Sequence, residues 1–138
     1  MKIFLDANIL IAVCNKEYPL FPFAARILSL ADKREYQLYT SPLCLAITYY
    51  FAEKKAGHVK AKQKMILLAE KIKLTDHTPE DVKQVALNKK IHDFEDGLEY
   101  YSASRYMCDV IITEDVADFY FSDISVLSAE AFLKGLSK

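Results

Sequence analysis

An aspartate and an asparagine, Asp6 and Asn8, interrupt the most apolar stretch of the chain, between Ile3-Phe4-Leu5 and Ile9-Leu10-Ile11-Ala12-Val13. Burying either side chain alone costs kilocalories, so something must compensate them. Further along, Asp96 falls in the run Asp93-Phe94-Glu95-Asp96, and Asp115 closes Val110-Ile111-Ile112-Thr113-Glu114-Asp115, with Asp118 three residues on. Carboxylates brought close together raise one another's pKa values unless a cation sits between them. Hard oxygen donors, with no His or Cys in the set, point to Mg²⁺ or Mn²⁺ rather than zinc. Such a cluster can hold one or two ions, generate a hydroxide nucleophile and steady an in-line attack on phosphate.

Each acid also has an ordinary structural role. Asp6 can cap a helix, Asp93 with Asp96 resembles a capping box, and Asp115 can cap a short turn. Glu95 and Glu99 are favourable charges near a helix N-terminus. The three carboxylates Asp6, Asp96 and Asp115 gain weight from where their segments end.

The pattern around them predicts strands alternating with one or two helices. Lys2–Leu5 is a short, continuously apolar run that suits a central buried strand. A helix over 9–15 follows, capped by Asp6 or Asn8, then a connector over 18–22 and a helix from Phe23 with Ile27 and Leu30 on its stripe. Tyr36–Tyr39 is a short strand. Ser41-Pro42 supplies an N-cap and a first-turn proline for a helix to about Lys55, which Gly57 stops. A helix over 58–71, a brief strand over 72–74, a helix from Pro79 to about Lys90 and another from Asp93 to about Tyr106 come next. Strands at 110–112 and 124–127 and a helix over 129–136 complete the chain. This alternation predicts a parallel sheet covered on both faces, a three-layer α/β/α single domain spanning 1–138. In such sheets, sites form at the carboxyl ends of the strands, where Asp6 and Asp115 would lie.

Composition limits the alternatives. Three glycines leave no phosphate-cradling loop and no dinucleotide fingerprint. No apolar run approaches the roughly 18 residues that span a bilayer, and Asp6 breaks the apolar region a signal peptide would need. Cys14, Cys44 and Cys108 are odd in number and set among apolar neighbours, as expected of reduced core thiols in a cytoplasmic protein. Net charge is −1, but unevenly spread. Lys54, Lys55, Lys60, Lys62 and Lys64 crowd residues 54–64 without one acid, whereas residues 93–123 carry nine acids and one arginine. A polyanion would be drawn to the first stretch and a metal to the second.

The segments LDANIL, DFEDGLEYYSA and VIITEDVADF, with a helix opened by Ser-Pro between the first two, resemble PIN-domain proteins, which include the VapC-type toxins of bacterial toxin–antitoxin pairs. The likeness runs over essentially the whole chain. It implies a Mg²⁺- or Mn²⁺-dependent ribonuclease, frequent homodimerisation and inhibition by a small antitoxin. Position by position, Asp6, Asp96 and Asp115 match the metal-site acids. Asn8 matches the polar residue beside the first, and Thr113 the hydroxyl before the last. Asp118 lies in the Asp-Phe pair that often follows, and by the same resemblance Asp93 and Glu99 flank the site.

One departure stands out. The family usually carries a glutamate five residues after the Ser-Pro pair, and here that position is Ile47. Glu53, six residues on, points about 120° away and lies about 9 Å further along the helix, a poor stand-in. The sequence therefore supports two expectations: an RNA-cleaving enzyme with one acid fewer, or a weakened site that binds RNA or a protein partner without cutting. Receiver and dehalogenase-like phosphatase sites fit poorly, because position 8 is Asn and no paired acids follow the first strand.

Overall fold

The computed structural model describes residues 1–137. Five strands form one all-parallel sheet in the order β3-β2-β1-β4-β5. They are β1 (Lys2–Leu5), β2 (Gln37–Thr40), β3 (Lys73–Leu74), β4 (Val110–Ile112) and β5 (Ser125–Leu127). Helices α1 (Ala7–Asn15), α2 (Phe21–Ser29), α3 (Pro42–Ala56) and α4 (His58–Lys71) fill the connections leading outward from β1 to β3. The return from β3 to β4 carries α5 (Pro79–Leu87) and α6 (Phe94–Arg105), and α7 (Ala129–Leu136) follows β5. Right-handed crossovers place outward and returning helices on opposite faces of the sheet, giving three layers.

The centre of the sheet is the centre of the core. Ile3, Phe4 and Leu5 on β1 and Ile111 and Ile112 on β4 are wholly buried. Burial of each such side chain stabilises the fold by about 1.5–3 kcal/mol, so the two strands are firmly seated. Register pairs Phe4 with Ile111 and Leu5 with Ile112, which brings both strands to an end at the same edge. The direction in which strands are added across the sheet reverses between these parallel neighbours, since β1 leads toward β2 and β4 toward β5. Their carboxyl ends therefore flank a crevice at the topological switch point of the sheet.

Local signals set the helix ends. Ser41 accepts a hydrogen bond from the Cys44 amide at 3.1 Å to open α3, and Thr78 with Asp81 forms a reciprocal capping box on α5. Three boundaries differ from the sequence expectation. Asp6, not Asn8, caps α1, which starts at Ala7. Helix α2 begins at Phe21, inside the expected connector, because a proline in the first turn needs no hydrogen-bonded amide. Helix α5 stops at Leu87, where Asn88 turns extended and its side-chain oxygen accepts from the Lys90 amide at 3.0 Å. No helix among the described residues is long and apolar enough to cross a membrane.

Candidate metal centre

Asp6 is fixed twice over at the end of β1. Its amide donates to the Ile112 carbonyl at 3.0 Å, tying it to β4. One carboxylate oxygen accepts from the Ala7 amide at 2.7 Å as a helix cap, and the other from the Thr113 hydroxyl, also at 2.7 Å. Capping and site-forming are thus one arrangement in this residue. Asn8, in the first turn of α1, donates to the Thr113 hydroxyl at 3.1 Å and to Asp115 at 3.2 Å. Its oxygen accepts from the Glu114 amide at 3.2 Å. Thr113 is fully buried and also accepts from the Asp115 amide at 3.0 Å. The ends of β1 and β4 are therefore locked into one polar network.

Helix α6 supplies the opposite wall. Asp93 caps it by accepting from the Asp96 amide at 3.0 Å, which fixes its first turn. Gly97 permits close packing there: a Cβ at this position would sit 2.6 Å from a Val85 methyl on α5 and 2.9 Å from Ile91. Burial, followed by the charges of Asp93, Asp6, Asp118 and Asp115, pushes the Asp96 carboxyl up to about 7. Glu99, one turn further along, is 2% exposed. Burial, then contact with Asp6, holds its carboxyl well above the usual range. The Cys44 thiol on α3 donates to Glu99 Oε1 at 2.7 Å.

Asp6, Asn8, Asp93, Asp96, Glu99, Asp115 and Asp118 all line one open cleft of about 250 Å³, and Thr113 lies behind it as a brace. Glu99, expected at the flank, is instead buried in the floor against Asp6. Sequence reasoning missed one residue of the wall, Glu95, and one buried behind it, Cys44. Glu95 reads as an ordinary first-turn charge, yet lines the cleft. Cys44 is a free buried thiol, as expected, but its contact with Glu99 brings it to the site. Its position three residues before Ile47, on the same helix face, was the available signal. Ile47 itself lines the cleft, whereas Glu53 does not.

No lysine, arginine or histidine forms an ion pair with any of these acids among the described residues. Converging carboxylates without counter-charge, all hard oxygen donors apart from the Cys44 thiol, fit a divalent cation of the Mg²⁺ or Mn²⁺ type. The five lysines lie elsewhere. Lys64 donates to the Cys14 carbonyl at 2.7 Å, and Lys55 to the Asn15 carbonyl, so both bind the C-terminal end of α1. With Lys16 and Lys60 they line a separate pocket.

Comparisons with known proteins bear on the family and the fold. Ribonuclease VapC1 of Aquifex aeolicus (strain VF5) is 25% identical over 138 residues, covering 95% of this chain and 92% of its own. The solved VapBC2 of Rickettsia felis, bound to a DNA fragment from its promoter, superposes with a TM-score of 0.69 at 18% identity, covering 93% of this chain and 98% of its own. VapBC-1 from nontypeable Haemophilus influenzae gives 0.68 at 21% identity, covering 94% and 99%. At these identities the two structures attest the fold. A family model described as PIN domain matches residues 2–117, a span that includes β1, α3, α6 and the β4 end from which the cleft is built. The chain belongs to the PIN-domain family.

Proposed function

We propose that the protein is a Mg²⁺- or Mn²⁺-dependent endoribonuclease and the toxin of a toxin–antitoxin pair. The observation that carries this reading is the convergence of Asp6, Asp96 and Asp115 in one cleft with no cationic side chain to balance them. These three would hold the ion. A divalent ion bound there supplies charge to a scissile phosphate and an activated water for its hydrolysis. The chain's own contribution is positional. Thr113 and the Ala7 amide fix both oxygens of Asp6, while Asn8 orients Asp115. Asp93 holds the turn that presents Asp96, and Asp118 adds negative charge at the rim.

RNA is the proposed substrate, drawn by Lys54, Lys55, Lys60, Lys62 and Lys64 through their charge. Relatives named ribonuclease and solved as VapBC complexes support a nuclease with an antitoxin partner; a cytoplasmic location and a homodimer are part of the same proposal. One observation favours a second reading. Ile47 places an apolar side chain on the cleft wall where a carboxylate is expected, so a protein that binds RNA or a partner without cutting also fits.

Cleavage of a mixed panel of structured and single-stranded RNAs, in Mg²⁺, Mn²⁺ or EDTA, decides between them. Metal-dependent cleavage by the wild type that disappears in Asp96→Asn supports the nuclease. Equal inertness of two folded proteins supports the binding protein.

A further inference from the structure

We propose that Glu99 on α6 supplies the carboxylate that α3 lacks at position 47, so that the cation site comprises Asp6, Glu99, Asp96 and Asp115. This rests on the reading that the cleft holds a divalent ion. The first support is position. Cys44 and Ile47 are three residues apart on α3 and share a face. Cys44 Sγ lies 2.7 Å from Glu99 Oε1, while Ile47 lines the same cleft. The Glu99 carboxylate therefore lies against the α3 face from which a residue-47 side chain projects.

Reach is the second support. Oxygens of Asp6 and Glu99, with the Cys44 sulfur, all lie within 4.8 Å of one another. Asp96 and Glu99 are themselves three apart on α6, so one helix face presents both toward Asp6. Chemistry is the third. Glu99 is 2% exposed and pairs with no basic side chain among the described residues. Its side-chain neighbours are the Cys44 thiol, a weak donor, and Asp6, a second acid, so ionising it at this depth without a cation is costly. Packing alone would be served equally by glutamine. An acid at this depth is explained by a cation that it helps to hold. Isoleucine on α3 and glutamate on α6 then form an exchange: the negative charge has moved across the cleft while the wall stays filled.

Calorimetric titration of the full chain with Mn²⁺ tests this without reference to cleavage. The variants are Asp6→Asn, Glu99→Gln and the double variant Ile47→Glu/Glu99→Gln. Glu99→Gln is expected to weaken Mn²⁺ binding by at least ~10-fold, the order typical of disturbed metal sites. The double variant is expected to recover to within about threefold of wild type, whether or not Glu99→Gln alone is stable enough to titrate. Wild-type affinity in Glu99→Gln, with binding lost in Asp6→Asn, overturns the exchange and leaves the cation reading intact. A double variant that folds but stays weak also overturns it. If the wild type binds no Mn²⁺, the cation reading falls and the exchange falls with it.

Discussion

Helix α1 has chemically opposite ends. Its N-terminus opens on the carboxylate cleft, and its C-terminus, about 13 Å away at 1.5 Å per residue, is held by lysines. Both charges agree with the helix dipole, which favours anions at the start and cations at the finish. The ends differ in what the charges touch. Lys55 and Lys64 have ammonium groups bonded to the Asn15 and Cys14 carbonyls, acceptors that the end of α1 leaves open. At the other end the carboxylates outnumber their donors, and no base answers them. Charge satisfied within the fold is structural, and charge left unanswered marks the place for a ligand.

The comparison can be broken most severely at the acidic end. Asp6→Asn keeps a capping side chain but removes one charge, so the fold should persist. Metal-dependent cleavage and Mn²⁺ affinity are expected to fall by ~100-fold or more, read by RNA cleavage and calorimetry. Undiminished binding would show that the cleft is not the cation site. Next in size is Gly97→Ala, whose methyl would press into Val85 and Ile91. Overpacking of this kind costs about 1–3 kcal/mol, to be read from thermal melts.

The pH dependence sharpens the contrast further. Asp96 has its folded pKa raised from 3.8 to about 7, mainly by burial and then by Asp93. In the absence of metal its contribution to stability is fully present below about 3.8 and is lost as pH rises through about 7. The sign follows because the unfolded chain releases this proton first. Melts of metal-free wild type and Asp96→Asn should lie closest at the acid end of that range and diverge toward the alkaline end, where the variant escapes this penalty; parallel curves would reject it.

Effects at the basic end should be smallest and should divide by partner. Lys60 and Lys62 are exposed and bond to nothing among the described residues, whereas Lys54 lies 5.0 Å from the Tyr50 ring centre. Lys60→Gln with Lys62→Gln should leave the melting temperature unchanged and flatten the salt dependence of RNA binding by roughly 0.7 per lysine for single strands. Lys64→Gln should instead cost about 0.3–1 kcal/mol of stability. Equal behaviour of the two would erase the distinction between structural and free lysines.

Much of this was legible in the sequence, for identifiable reasons. The apolar run of β1, the Ser-Pro opening of α3 and the Ser128 cap of α7 are local signals, and local hydrogen bonds decide those boundaries. Asp6 and Asp115 could be grouped because parallel sheets bring strand ends together, and Asp96 because it opens a helix entered from a loop. Glu99 could not be placed in the floor of the cleft, because its depth depends on how closely α6 approaches α3. Nor could the lysines be sorted, since two of them reach carbonyls 40 and 50 residues back along the chain. Such pairings arise from tertiary packing and leave no local pattern.

The bond between Thr113 and Asp6 joins residues 107 positions apart. During synthesis Asp6 is made almost at once, yet beyond the neighbouring Ala7 amide it has no partner in the site until β4 has emerged and paired with β1. Contacts of such sequence separation form late and all together, because the chain between them must already be arranged. A ribosome making this protein would therefore carry a growing chain with its acids scattered and no assembled centre. The cleft is thus a feature of the nearly finished chain alone, assembled only as its last quarter is made.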